Sequence, residues 1–268
     1  MKDKVVVVTG AGSGIGRATA LAFAAQGARV AACDVDQARL DTLAKDLGDR
    51  ALFVDKVDVA DRAQMAAFAA AVHARAPAAD VIVNNAGVAV GGKFLDTSLD
   101  DIDWLLGINL RGVVHGCHFF IPKMVEQRRG HVVNIASIFG IFPAPEASVY
   151  VASKFGVLGM SQSLRAELAP HNVGVTAICP GMIATAIVED GRVSGADFAK
   201  RKPRVVETFK KRGTPPEAVA AVILDAVRSN PAIRTVGRDA RVIRTLSAVA
   251  PQATQRLGSR LARWFGAA

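Results

Sequence analysis

The sequence predicts an α/β fold, a doubly wound parallel sheet of about seven strands with helices on both faces, and two observations carry that prediction. Seven short runs rich in β-branched residues recur along the 268 residues, separated by longer stretches whose apolar residues repeat at helical spacing. The runs are nearly continuous in apolar residues instead of alternating, which suits strands buried on both faces of a three-layer α/β/α sandwich.

In chain order, the first strand is KVVVVT (4–9), followed by the helical pattern IGRATALAFAAQ (15–26). The second is ARVAACD (28–34), and the third, ALFVDKVDV (51–59), leads into the helix DRAQMAAFAAAVHA (61–74). DVIVNN (80–85), GHVVNIAS (130–137), VGVTAICP (173–180) and AIRTVG (232–237) complete the sheet. Right-handed crossovers join parallel strands of this kind. No linker, repeat or low-complexity run breaks the rhythm, so residues 1–268 read as a single domain, with an apolar fraction of 51% to fill its core.

Composition narrows the function classes. The amino-terminal MKDKVVVVTG has no long apolar region or cleavage site, and no window approaches the ~20 apolar residues that span a bilayer, so a cytoplasmic protein is expected. Cys33, Cys117 and Cys179 are odd in number and lie in apolar runs, as buried thiols do in a reducing compartment. The net charge of +9 is concentrated in residues 192–268, which carry 16 Lys and Arg against 5 Asp and Glu. No nucleic-acid-binding motif or aromatic stacking run accompanies that charge, and it reads as a solvated basic surface.

The turn after the first strand reads TGAGSGIG (9–16) and opens a helix. Glycines there allow a tight turn and close approach of backbone to a phosphate, and the helix N-terminus offers N–H groups and a positive dipole end. Gly10, Gly12, Ser13, Gly14, Ile15 and Gly16 are therefore candidate ligands of a dinucleotide in a Rossmann-type fold. The second strand ends in Asp34, whose carboxylate can accept from both hydroxyls of an adenosine ribose and repels a 2′-phosphate. No basic residue at position 13 or 35 offsets it, so NAD is favoured over NADP. Arg17, just inside the helix, is read as solvated or near the pyrophosphate.

TGAGSGIG, then NNAG (84–87), then a serine 13 residues before Y-x-x-x-K together resemble the short-chain dehydrogenase/reductase family, and the likeness runs in order from residue 4 to about 185. The resemblance implies that Asp58 and Val59 line the adenine pocket, that Asn85, Ala86 and Gly87 border the cofactor, and that Pro180, Gly181, Ile183 and Thr185 clasp the nicotinamide carboxamide. It also implies an oxidoreductase that interconverts a secondary alcohol and a ketone as a homodimer or homotetramer. Asn109, in GINLRGV, is by resemblance the fourth catalytic member, holding a water that relays a proton through Lys154.

Tyr150 is the only tyrosine of the chain, and Lys154 lies one helical turn on, so both project from one face of a helix beginning near Ser148. Hydride transfer at an alcohol carbon leaves a hydroxyl proton to be moved, and a phenol can move it once a nearby ammonium favours the phenolate. Ser137, at a strand end, can orient the substrate oxygen. A dinucleotide-binding redox sensor without catalysis, or an NADP-dependent reductase, are the alternatives.

Around this centre Ile138, Phe139, Phe142, Met182 and Ile187 are candidate walls of an apolar substrate pocket. Residues 188–213 stand where the family carries a substrate lid, and their Lys and Arg residues could attract a carboxylate or CoA ester. His115, Cys117 and His118 are read as core or interface residues and no metal is expected; His73, His131 and His171 are read as surface residues. The chain departs from the family in its basic end, 239–268, expected to be helical. There Leu257, Leu261 and Trp264 or Phe265 share a helical face beside Arg256, Arg260 and Arg263, for packing on a partner or the lid, or for peripheral membrane contact.

Overall fold

The computed structural model describes residues 1–250. Its main sheet contains β1 (Val5–Thr9), β2 (Arg29–Asp34), β3 (Ala51–Lys56), β4 (Val81–Asn84), β6 (Gly130–Ile135), β7 (Val173–Pro180) and β9 (Ile233–Val236). They are all parallel, in the order β3-β2-β1-β4-β6-β7-β9. Two-residue strands β5 (Val90–Gly91) and β8 (Arg192–Val193), too short to leave a pattern in sequence, pair in parallel beside it. The helices are α1 (Gly14–Ala25), α2 (Gln37–Leu47), α3 (Arg62–His73), α4 (Leu99–Leu106), α5 (Gly112–Glu126), α6 (Ser148–Leu168), α7 (Ala196–Arg212), α8 (Pro216–Ser229) and α9 (Arg238–Val249).

The period of two along each strand builds both cores. Val5 and Val7 of β1 face Met65, Phe68 and Val72 of α3 and Phe120 of α5, while Val6 and Val8 face Phe23 of α1, Leu43 of α2 and Ile223 of α8. Fully burying a Phe or Leu stabilises by ~1.5–3 kcal/mol, and both layers have several. Strand order reverses between β1 and β4, so their carboxyl ends open a crevice of the kind that takes ligands in doubly wound sheets.

His131, expected at the surface, is a correction: it is buried at the start of β6. The Thr176 hydroxyl donates to the Pro231 carbonyl at 2.6 Å, so it accepts from His131 Nε2 at 2.9 Å. Burial, aided by the charge of Arg165, pushes the imidazole down to about 4. His73, also expected at the surface, is half-buried with its ring edge toward Phe120. Among the described residues no helix is long and apolar enough to cross a membrane. The amphipathic segment around Leu257, Leu261 and Trp264 lies outside the described residues.

Candidate active site

Gly10 turns the chain at φ +61°, a conformation that costs other residues a steric clash. Gly16 lies where α1 passes that turn so closely that a Cβ would sit 2.1 Å from the Gly10 carbonyl oxygen and 2.5 Å from Asn85 Nδ2. Asn85 Nδ2 donates to the carbonyls of Thr9 (2.9 Å) and Gly10 (3.0 Å). Thr9 Oγ1 accepts from the N–H of Asn85 (3.0 Å) and of Ala86 (3.1 Å), binding the end of β4 to the end of β1. Ser13 is an extended N-cap whose side chain does not cap α1, and the first turn has no acidic residue, so the positive helix end stays open to an anion. A groove of about 620 Å³ runs from this edge between α1 and α8, from Ser13, Gly14 and Thr185 to Leu21, Pro216 and Ala220. Backbone crowding and an open helix end fit a pyrophosphate. Arg17 itself is ion-paired with Asp46.

The ribose end is more occupied than the sequence suggests. Asp34 Oδ2 accepts from Gly12 N–H at 2.8 Å and Oδ1 from Asp36 N–H at 3.1 Å, so each oxygen keeps only part of its capacity for a ribose hydroxyl. A cation does reach this corner, from α2: Arg39 pairs with Asp36 (3.2 Å) and Asp190 (3.2 Å) and stands 3.4 Å from Ser13 Oγ. Asp34, Asp36 and Asp190 outnumber it, leaving the corner negative. Farther along, Asp58 caps its own turn through Ala60 N–H at 2.9 Å, and the buried Val59 presents its carbonyl to His115 Nδ1 at 2.9 Å. After β7, the Gly181 N–H is held by the Val236 carbonyl at 2.8 Å, Ile183 is buried and bridges to Thr214, and Thr185 faces Gly14.

Ser137 lies two residues beyond β6, where its Oγ accepts from Phe139 N–H at 3.1 Å and stands near enough to the Tyr150 phenol to favour its ionised form. Tyr150 sits in the first turn of α6. Lys154 is buried, donates to the Ile135 carbonyl at 3.0 Å, and places Nζ 5.6 Å from the Tyr150 ring centroid. Burial raises the Tyr150 phenol above its ordinary value, with the Ser137 hydroxyl acting the other way, and burial lowers Lys154 to about 8.

Asn109 is fully buried in a single π-helical turn, Gly107–Arg111, between α4 and α5. Its Oδ1 accepts from Val88 N–H at 2.8 Å and its Nδ2 donates to the Val88 carbonyl at 2.9 Å, so the amide clamps the loop after β4. A Cβ on Gly87 would lie 3.3 Å from Asn109 Oδ1 and 3.5 Å from Lys154 Nζ, so its absence leaves one small space that both face.

On the substrate side, the Phe139 ring meets Tyr150 edge-on at 6.2 Å, and Met182 and Ile187 are half-buried. Ile138 and Phe142 are each only 5% exposed and pack inward. The segment 188–213 contains β8 and α7, and five of its eight Lys and Arg residues have polar partners. Arg192 meets Asp101 at 2.9 Å, Arg201 meets Glu146 at 2.7 Å, Lys210 meets Glu189 at 2.8 Å, and Lys211 meets Glu207 at 2.6 Å. Lys202 donates to the carbonyls of Glu189 and Gly191, both at 2.8 Å. Sequence reasoning missed Arg39, Val88, Glu146 and Asp190, since partners such as Arg39 and Asp190 lie 151 positions apart and leave no local pattern.

His115 meets the Val59 carbonyl, while Cys117 and His118 have partners elsewhere. Cys117 is buried against Asn84 and Asn134, while the His118 ring stacks edge-on against Phe119.

The family model described as short chain dehydrogenase matches residues 4–193. A relative named putative oxidoreductase SadH, from Mycobacterium tuberculosis, is 36% identical over 263 residues, covering 96% of this chain and 94% of its own. Another, probable oxidoreductase EphD from Mycobacterium bovis, is 40% identical over 259 residues; the match covers 94% of this chain but 44% of that protein, so the chain spans less than half its length. Among solved structures, a short chain dehydrogenase/reductase from Burkholderia phymatum in complex with NAD superposes with a TM-score of 0.86 at 28% identity, over 92% of this chain and 93% of that one. A family match through most of the chain, together with relatives at this identity, makes the protein a member of the short-chain dehydrogenase family of oxidoreductases.

Proposed function

We propose that this chain, as one domain, is an NAD(H)-dependent oxidoreductase that interconverts an apolar secondary alcohol and its ketone. The observation that carries the reading is the Tyr150 phenol under the influence of the Ser137 hydroxyl, with the buried Lys154 Nζ 5.6 Å from its ring centroid. The Gly10–Gly16 turn, Asp34, the Asp58–Val59 pair, Asn85–Gly87 and Pro180–Thr185 hold the dinucleotide, which when bound accepts or returns the hydride at its nicotinamide. Ser137 orients the substrate oxygen. Tyr150 removes the hydroxyl proton as the carbon loses hydride, and returns it in reduction. Lys154 stabilises the phenolate through its charge, which protonation near 8 supplies at neutral pH. Asn109 fixes the Val88 loop, and the space beside Gly87 suits a water that passes the proton on from Lys154. NAD is preferred because the corner of Asp34, Asp36 and Asp190 is net negative even with Arg39, which disfavours a 2′-phosphate. The protein works as a homodimer or homotetramer, for which Val114 on α5 and Phe155 on α6 offer exposed apolar contacts.

The test is turnover of a panel of secondary alcohols and ketones with NAD(H) and NADP(H), for wild type and Tyr150→Phe. The phenylalanine variant is expected to lose about 10³-fold in turnover while NADH binding, followed by fluorescence, is retained. Activity within tenfold of wild type sinks the assignment of Tyr150. NADH binding without turnover on any substrate favours a sensor, and higher efficiency with NADPH overturns the cofactor assignment.

A further inference from the structure

Glu146 stands where three segments meet. It lies four positions before Tyr150 and two before α6, with a left-handed φ of +58° that a non-glycine residue adopts only when its surroundings hold it there. Its carbonyl accepts from the Gly92 N–H at 2.9 Å, just beyond β5. Its carboxylate accepts from the Arg201 guanidinium of α7 at 2.7 and 2.9 Å. Among the described ion pairs this is the one in which both side chains are less than a quarter exposed, 23% for Arg201 and 12% for Glu146. Burial of that kind makes removal of one partner costly and gives the pair directional force that an exposed pair lacks.

The same guanidinium lies 5.5 Å from the centroid of the Phe198 ring, and that ring fills the place a Gly91 side chain would take, 2.3 Å from its Cβ position. Phe198, Arg201, Lys202, Val205, Val206 and Phe209 form the half-buried face of α7, at spacings of three and four. Of the two cations of this face, Arg201 is charge-matched by Glu146, while Lys202 directs donors to the carbonyls of Glu189 and Gly191. The other residues of this set, Phe198, Val205, Val206 and Phe209, are apolar.

We propose that Glu146 is a positioning and specificity-determining residue: paired with Arg201, it fixes the lid helix α7 at the Tyr150 end of the crevice and selects substrates uncharged in the part beneath α7. The specificity half rests on the hydride-transfer reading above; the positioning half does not. A substrate carboxylate under the lid meets a guanidinium already matched and a carboxylate that repels it. Replacing Glu146 by glutamine removes one negative charge beside Arg201 and reverses that selection.

The experiment compares a medium-chain 3-oxo acid with its methyl ester, with NADH, in wild type, Glu146→Gln and Glu146→Gln/Arg201→Gln. Wild type is expected to favour the ester. The acid-to-ester ratio of kcat/KM should rise at least tenfold in Glu146→Gln and return to the wild-type value in the double variant. An unchanged ratio in folded Glu146→Gln, or a rise that survives loss of Arg201, overturns the selection. Amide hydrogen exchange over residues 196–212 reads positioning without turnover. It should quicken at least tenfold in Glu146→Gln and in Arg201→Gln, and slow again in the charge-swapped Glu146→Arg/Arg201→Glu. Equal exchange in all variants overturns the positioning role. If wild type turns over neither compound, the hydride-transfer reading fails, and the exchange result still decides whether Glu146 holds the lid.

Discussion

The turn over residues 10–16 and the segment 188–213, proposed above as a lid, are held by different means. At the turn, backbone meets backbone: a Cβ at Gly16 would approach the Gly10 carbonyl oxygen to 2.1 Å, and Asn85 fastens both strand ends with its amide. At the lid, α7 has no fully buried residue and is tied down by Arg201–Glu146 and Lys93–Asp197, with Arg192–Asp101 holding β8 just before it. Contacts of the first kind allow little displacement without a clash. Those of the second kind break one at a time, and the exposed pairs contribute ~0–1 kcal/mol each, which suits the lid role proposed for the segment.

The strongest way to break this comparison is Gly16→Ala. The added methyl has no flexible side chain to push aside, since the contacts are a carbonyl and an anchored amide. A loss of ~3 kcal/mol or more in unfolding free energy is expected, with NADH binding lost, because α1 must move off the turn. Thermal unfolding and NADH titration check both; a variant that binds NADH as tightly as wild type means the turn is more compliant than its contacts imply.

A second prediction uses a site remote from both regions as the reference. His131 sits at the opposite end of the sheet, and its folded pKa of about 4 lies below the ordinary 6.5. The unfolded chain therefore takes up the proton first. The stabilisation from a neutral buried imidazole is complete above pH 6.5 and is lost as pH falls from 6.5 to 4, up to about 3 kcal/mol. Urea unfolding at pH 7, 5.5 and 4.5 should show wild type losing more than His131→Gln over that interval. Parallel loss in the two proteins would refute the assignment to His131.

The same contrast explains what the sequence could disclose. Val5 to Val8 declare a buried strand because their neighbours on both faces are fixed by the period of two, and the Gly10–Gly16 turn is legible because only glycine serves such close contacts. Tyr150 and Lys154 are legible because one helical turn joins them. Glu146 with Arg201, and Arg39 with Asp190, are not, because an ion pair across the fold leaves each member looking like a solvated charge. His131 misleads in the same way: its partner Thr176 is on the next strand, 45 positions later. The pKa order at Tyr150 and Lys154 is likewise a matter of depth, which residue spacing does not encode.

The smallest expected effect belongs to Arg192, which sharpens the account of the lid. Its guanidinium lies 3.9 Å from the Trp104 ring centroid and 2.9 Å from Asp101, whose carboxyl it holds below the usual carboxylate range through that hydrogen bond. Arg192 is nonetheless 45% exposed, so screening reduces both contacts, and Arg192→Ala should cost ~1 kcal/mol or less. For a chain of this size that is a fall in Tm of about 2–4 °C at most. The change should appear locally, as faster amide exchange at Arg192–Val193 and the facing Val90–Gly91, with NADH affinity unaltered because the segment is linked to the Gly10–Gly16 turn through Asp190 and Arg39 and not through Arg192. Weakened NADH binding in Arg192→Ala would show that lid and nucleotide turn act as one unit, and the division between them would have to be given up.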